Sequence, residues 1–138
     1  MSQSSLSYSV PWEVAGLDHV VLRMRNRADM LHFYTSLLGC PVERTIAAIG
    51  MVQLRAGRAL IDLIDADVSD PPGQNVDHLC LLLVASSLEV VVDHLREKGV
   101  SVGEPKIRYG STGFAPSIYL CDPDGNGLEL RLDPDTTA

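Results

Sequence analysis

The sequence predicts an α+β chain in which a βαβββ unit occurs twice in tandem. Three observations predict it. Leu17-Asp18-His19-Val20-Val21-Leu22 is echoed by Val76-Asp77-His78-Leu79-Cys80-Leu81. Late in each half a carboxylate interrupts an apolar strand, in Leu60-Ile61-Asp62-Leu63 and in Gly127-Leu128-Glu129-Leu130. Between these landmarks each half carries a helical stripe that stops at a glycine. The histidines lie 59 residues apart and the glycines, Gly39 and Gly99, lie 60 apart. A shared offset across several landmarks is the signature of an internal repeat.

The elements follow in order. Residues 1–13 are polar and small, and read as a loose arm that Trp12 tacks to the body. One domain spans 14–132, with module 1 at 17–65, a linker at 66–75 and module 2 at 76–132. Residues 17–23 alternate as a strand. Asn26 is placed to cap a helix, with Asp29 three residues on. Met30, Phe33, Tyr34 and Leu37 keep one helical face buried, and Gly39 ends it. Strands are expected at 42–48, 51–56 and 59–65. The linker's Ser69-Asp70-Pro71-Pro72-Gly73 suits neither helix nor strand. Module 2 repeats the plan: a strand at 76–84, Ser86 and Glu89 as a capping box, and Leu88, Val91, Val92 and Leu95 as the buried stripe. Strands near 101–107, 114–121 and 127–132 follow, and 133–138 is a frayed tail.

Composition narrows the function. The chain has 138 residues, 11 Lys+Arg against 18 Asp+Glu, and a net charge of −7. With no clustered basic stripe, nucleic acid is not an expected partner. No apolar run is long enough to span a bilayer, so no membrane is expected either. Three cysteines without C-x-x-C spacing suit reduced cytoplasmic thiols. Cys80 and Cys121 lie in apolar strands and read as small core residues.

The chemistry-bearing set is two histidines and two carboxylates at equivalent places. Side chains alternate along a strand, so His19 shares a face with Val21 and Arg23, Asp62 with Leu60 and Ile64, and Glu129 with Arg131. Carboxylates and imidazoles among apolar neighbours are costly to bury unless paired or ligated. One divalent cation such as Zn, Ni, Mn, Co or Fe would account for all four. The plainer alternatives are a hydrogen-bonded strand histidine and an edge-strand charge at Glu129. Asp18 and Asp77 fall on the opposite face, where backbone or water would be their partners. His32 and His94 lie beside the apolar stripes and read as solvated.

These residues resemble the vicinal oxygen chelate superfamily, which includes glyoxalase I, extradiol dioxygenases and the bleomycin-resistance proteins. The resemblance spans 17–132. It rests on Leu17-Asp18-His19-Val20, on Phe33-Tyr34 with Leu37-Leu38-Gly39, on Asp77-His78, and on Tyr119-Leu120-Cys121-Asp122-Pro123-Asp124-Gly125-Asn126 leading to Leu128-Glu129-Leu130. It implies a vicinal oxygen chelate fold, in which the paired modules form a cupped mixed sheet, with His19, His78 and Glu129 as metal ligands. Asp62 falls where glyoxalase I has a fourth, usually a glutamate. It also implies a homodimer whose site closes either within one chain or between two.

The expected function is glyoxalase-like: a metal-dependent lyase or isomerase acting on a small oxygenated substrate, with Asp62 and Glu129 as the catalytic carboxylates. An Fe(II)-dependent extradiol-type dioxygenase is the alternative enzyme. A non-catalytic, bleomycin-resistance-like ligand-binding protein is the third reading. Arg108, Tyr109, Gln53, Arg55 and Tyr119 are candidate substrate contacts.

Overall fold

The structure is a computed structural model that describes residue 11, residues 17–70 and residues 76–134. The expected arm with Trp12, the Pro71-Pro72-Gly73 segment and the end of the tail lie outside the described residues. Module 1 runs β1 (His19–Met24), α1 (Arg27–Leu31) continuing into a π-helical stretch (His32–Leu37), β2 (Val42–Ile46), β3 (Met51–Ala56) and β4 (Ala59–Asp65). Module 2 runs β5 (His78–Leu83), α2 (Leu88–Glu97), β6 (Lys106–Gly110), β7 (Gly113–Cys121) and β8 (Gly127–Leu132). The repeat is therefore real at the level of elements.

Each module forms one four-stranded mixed sheet, ordered β1-β4-β3-β2 and β5-β8-β7-β6. The first strand of each module pairs parallel to the last, and the other pairs are antiparallel. Alternation gives each sheet two unlike faces. Leu22, Met24, Val52, Leu54, Ile61 and Leu63 turn inward from the first sheet, and Ile118, Leu120, Leu128 and Leu130 from the second. Met30, Phe33 and Tyr34 from the first helix and Leu88, Val92 and Leu95 from α2 join them in one core. Both histidines and both carboxylates stand on the other, outer faces.

The helix ends differ from expectation. Asn26 occupies the N-cap position of α1 but makes no side-chain cap bond. Its amide Nδ2 donates instead to Asp124 Oδ1 at 2.7 Å, and the backbone N–H groups of Arg25 and Asn26 donate to the same carboxylate. On α2 the cap is Ser87, not Ser86, with Val90 N donating to its Oγ at 3.2 Å. Gly39 and Gly99 end their helices at φ 83° and 81°, the left-handed conformation that favours glycine.

The β7–β8 turn latches the two modules together. Asp122 is buried, and its carboxylate accepts from Tyr34 Oη at 2.7 Å, from Asn126 Nδ2 at 2.8 Å, and from the backbone N–H groups of Asp124 and Asn126. Tyr34 comes from module 1, so the Asp-Pro-Asp-Gly-Asn segment serves packing rather than chemistry.

The second strand of module 2 also starts late. Residues 101–105 lack a ladder, because Pro105 has no N–H to give, and only Gly103 N reaches Tyr119 O at 2.8 Å. Cys80 and Cys121 correct an expectation: both are exposed on outer faces, and the buried thiol is Cys40. They sit on strands but at the wrong parity for the core.

Candidate metal and substrate site

Register builds the same constellation twice. In module 1, Val21 and Asp62 are partners across β1 and β4, and Gln53 faces Asp62 across β3. In module 2, Cys80 and Glu129 are partners across β5 and β8, and Tyr119 faces Glu129 across β7. Each histidine therefore stands two residues before the residue opposite its carboxylate, on the same face. His19 matches His78, Asp62 matches Glu129, and Gln53 matches Tyr119.

The histidines are oriented alike. His19 Nδ1 lies 2.7 Å from Asp18 Oδ1, and His78 Nδ1 lies 2.7 Å from Asp77 Oδ2. Asp18 and Asp77 are thus partners of the adjacent imidazoles, not of backbone or water alone. A carboxylate on Nδ1 holds the proton there and leaves the Nε2 lone pair for a ligand-type role. The Asp18 hydrogen bond raises the His19 pKa, and the nearby charge of Asp62 adds to it against partial desolvation.

In module 2 the pair is closed. His78 Nε2 lies 3.4 Å from Glu129 Oε1. Two acceptor atoms at that distance need a proton or a cation between them. Gly127 permits the approach, since a Cβ there would collide with the Asp77 carbonyl and lie 3.0 Å from His78 Cβ. Tyr119 completes this corner, its ring edge-to-face with His78 at 5.2 Å. Burial raises the Tyr119 pKa, and Glu129 raises it further by charge and hydrogen bond. Burial likewise pushes the Cys80 thiol up to about 11.

In module 1 Asp62 is only 3% exposed. Gln53 Nε2 donates to its Oδ2 at 3.1 Å, while Oδ1 is buried without a partner among the described residues. An orphaned carboxylate oxygen beside a histidine is an anomaly that a cation would resolve. The donor set, two imidazoles held from behind by carboxylates plus two carboxylates, fits a divalent metal.

The chain does not gather all four donors itself. They fall into two pairs, and among the described residues no group of three or more His, Cys, Asp or Glu side chains is placed to hold a metal ion. The other candidates divide as follows. Arg55 shares the outer face but is held by Glu43, with Nη2–Oε2 at 3.2 Å. Arg108 lies over the Tyr119 ring at 4.3 Å. Tyr109 stands on the opposite face, edge-to-face with Phe114 at 4.9 Å and away from Glu129. His32 and His94 are exposed, as expected.

Comparison with known proteins settles the lineage. The family profile of the glyoxalase/bleomycin resistance protein/dioxygenase superfamily matches residues 16–130, a span that includes all four donors. The chain belongs to that superfamily. Another relative is the virulence protein STM3117 of Salmonella typhimurium, 28% identical, with 92% of this chain and 93% of that protein covered. The catechol-2,3-dioxygenase of Bacillus subtilis is 26% identical over 85% of this chain but only 41% of its own length. A solved integron cassette protein of V. Cholerae superposes with a TM-score of 0.71 at 29% identity, covering 88% of this chain and 97% of that one. Superfamily membership accounts for the repeated module. Reasoning from sequence missed the role of Gly127, whose signal was its place opposite His78.

Proposed function

We propose that the chain is a metal-dependent lyase or isomerase of small oxygenated substrates, with a site completed by a second copy of the chain. The observation that carries this reading is Asp62, buried with one oxygen unsatisfied at the corner symmetric to Glu129. A three-donor set would leave that oxygen unexplained; a four-donor set uses it.

His19, His78, Glu129 and Asp62 would hold the ion. A divalent metal bound there supplies Lewis-acid polarisation of adjacent substrate oxygens. The chain's residues do the rest. Asp62 or Glu129 takes a proton from the carbon beside the substrate carbonyl and returns it to the neighbouring atom. Tyr119 holds Glu129 in place. Val21 and Leu82, both exposed on outer faces, become the apolar walls that exclude water when a partner covers them.

The homodimer reading rests on the split of the donors. Each pair lies on an outer face, on the far side of its sheet from the shared core. Module 1 of one chain would face His78 and Glu129 of the partner subunit.

Metal analysis of unsupplemented protein tests the core of the reading. Bound metal is expected in the wild type and lost in both His19→Ala and Glu129→Ala. Retention in both variants would overturn it. Protein reloaded with Ni, Zn, Mn or Fe is expected to turn over hemithioacetals or related α-hydroxycarbonyls.

One observation favours a second reading. Tyr119, against both His78 and Glu129, is placed as the additional acid–base group that ring-cleaving dioxygenation wants, and the Bacillus subtilis relative carries that name. Oxygen uptake with catechols after anaerobic Fe(II) loading would select it.

A further inference from the structure

The two modules part company at one edge, and a cleft opens there. In module 1 the chain leaving Gly39 zips straight onto β3: Arg55 N donates to Pro41 O at 2.8 Å, and Val42 pairs with Leu54. The matching positions in module 2 are Cys121 and Ser101. Cys121 lies two residues beyond Tyr119 as Arg55 does beyond Gln53, and Ser101 two beyond Gly99 as Pro41 does beyond Gly39. Among the described residues no bond joins Cys121 N to Ser101 O, and Gly103 N to Tyr119 O is the one backbone tether of this segment to β7. Strand alternation turns the Cys121 N–H and C=O to the same side as those of Tyr119, into the gap.

The gap is an open cleft of about 650 Å³ between residues 98–103 and 120–123. Module 1 supplies its floor through Phe33 and Leu37, both on the π-helical stretch, a rare geometry that recurs at functional sites. With Val100, Val102, Leu120 and Pro123 the walls are largely apolar. Apolar concavities of roughly 300–1,000 Å³ with a few polar groups are the common form of small-molecule sites. Two charged residues line this one. The Asp122 carboxylate is already filled by Tyr34, Asn126 and two backbone N–H groups. Lys98 is exposed at the rim and makes no salt bridge among the described residues.

We propose that this cleft binds a small amphipathic monocarboxylate, an aryl or short acyl acid whose apolar body lies against Phe33, Leu37 and Leu120 and whose carboxylate pairs with Lys98. Charge complementarity selects that class. A phosphate dianion would meet a single cation here, and an uncharged ligand would leave the ammonium unused; an acid with an apolar tail uses both the floor and the rim. The site is distinct from the four metal donors. Those stand on the outer faces of the sheets, whereas Phe33 and Leu120 belong to the core side. The inference therefore does not depend on the metal reading.

Calorimetric titration of metal-free protein with phenylbutyrate, and with phenylbutanol as its uncharged counterpart, tests the cleft without reference to turnover. Saturable binding of the acid is expected, with the alcohol about tenfold weaker, the loss of one charge-assisted contact. Lys98→Gln is expected to weaken the acid by the same factor and leave the alcohol unchanged, a split that a merely structural lysine would not produce. Ser101→Trp places a large ring at the exposed rim. It is expected to melt as the wild type does and to lose binding of both probes. His19→Ala and Glu129→Ala are expected to bind the acid as the wild type does, so failure of the metal reading leaves this one standing. No saturable binding of the acid, equal acid affinity in Lys98→Gln or in Ser101→Trp and wild type, or loss of binding in His19→Ala would overturn the proposal.

Discussion

At the scale of single residues, what sets the histidines apart from ordinary strand positions is the group behind each ring. Asp77 fixes His78 through Nδ1, so Asp77→Ala is expected to lower metal affinity about tenfold to a hundredfold, read by chelator competition. Gly127→Ala should do the same without touching a ligand, because the added Cβ displaces His78 from Glu129. A normal affinity in Gly127→Ala would mean the close approach is incidental. Cys80 is exposed on the site side, but burial of its sulfur holds its pKa at about 11. At pH 8 the folded protein should therefore alkylate slowly at Cys80, and unfolding in denaturant should release the reaction. These residue roles were only partly legible in the sequence. The His and carboxylate positions follow from alternation and repetition. That Asp18 and Asp77 turn back on the rings does not, because a strand's period alone sends a neighbouring side chain to the other face.

At the scale of elements, the helices and strands were readable and their ends were not. The stripe Met30, Phe33, Tyr34 and Leu37 located the first helix. Nothing local announced that Asn26 would give its amide to Asp124, almost a hundred residues away, instead of capping its own helix. Cys80 and Cys121 were misplaced for a related reason: an apolar run marks a strand, but which parity faces the core depends on the partner layer. The latch between Tyr34 and Asp122 makes its own prediction. Tyr34→Phe should cost about 1–3 kcal/mol, because Asp122 is buried and loses a donor. Burial, reinforced by Asp122, raises the Tyr34 pKa above its ordinary value of 10.0. A raised folded-state value means the stabilisation is complete below about pH 10 and is lost as pH climbs further, since the unfolded phenol ionises first. Urea melts of the wild type should weaken above about pH 10, and Tyr34→Phe should show a flatter alkaline limb.

At the scale of the whole molecule, the duplicated architecture was legible because several landmarks repeat at one offset. Which faces would meet was not, since that is a property of packing between modules. If the site forms between chains, His19→Ala and Glu129→Ala homodimers are each dead in both sites, but a mixed dimer rebuilds one. After subunit exchange an equal mixture should regain about a quarter of the wild-type metal content, given random pairing of a twofold dimer. No recovery despite confirmed exchange would place each site within a single chain.

The Asp122–Asp124 latch also bears on how association stops. The corresponding turn of module 1, Gly57-Arg58, is too short to hold such a carboxylate pair, and α2 relies on its own Ser87 cap. Among the described residues there is thus one such acceptor turn and one helix start that fits it, and they are consumed on each other. A second acceptor in module 1 would have left every molecule with a spare socket for a neighbour's helix, the head-to-tail pattern that grows fibres. With the turn and the helix start spent on each other, this contact leaves no matching half for a neighbouring chain.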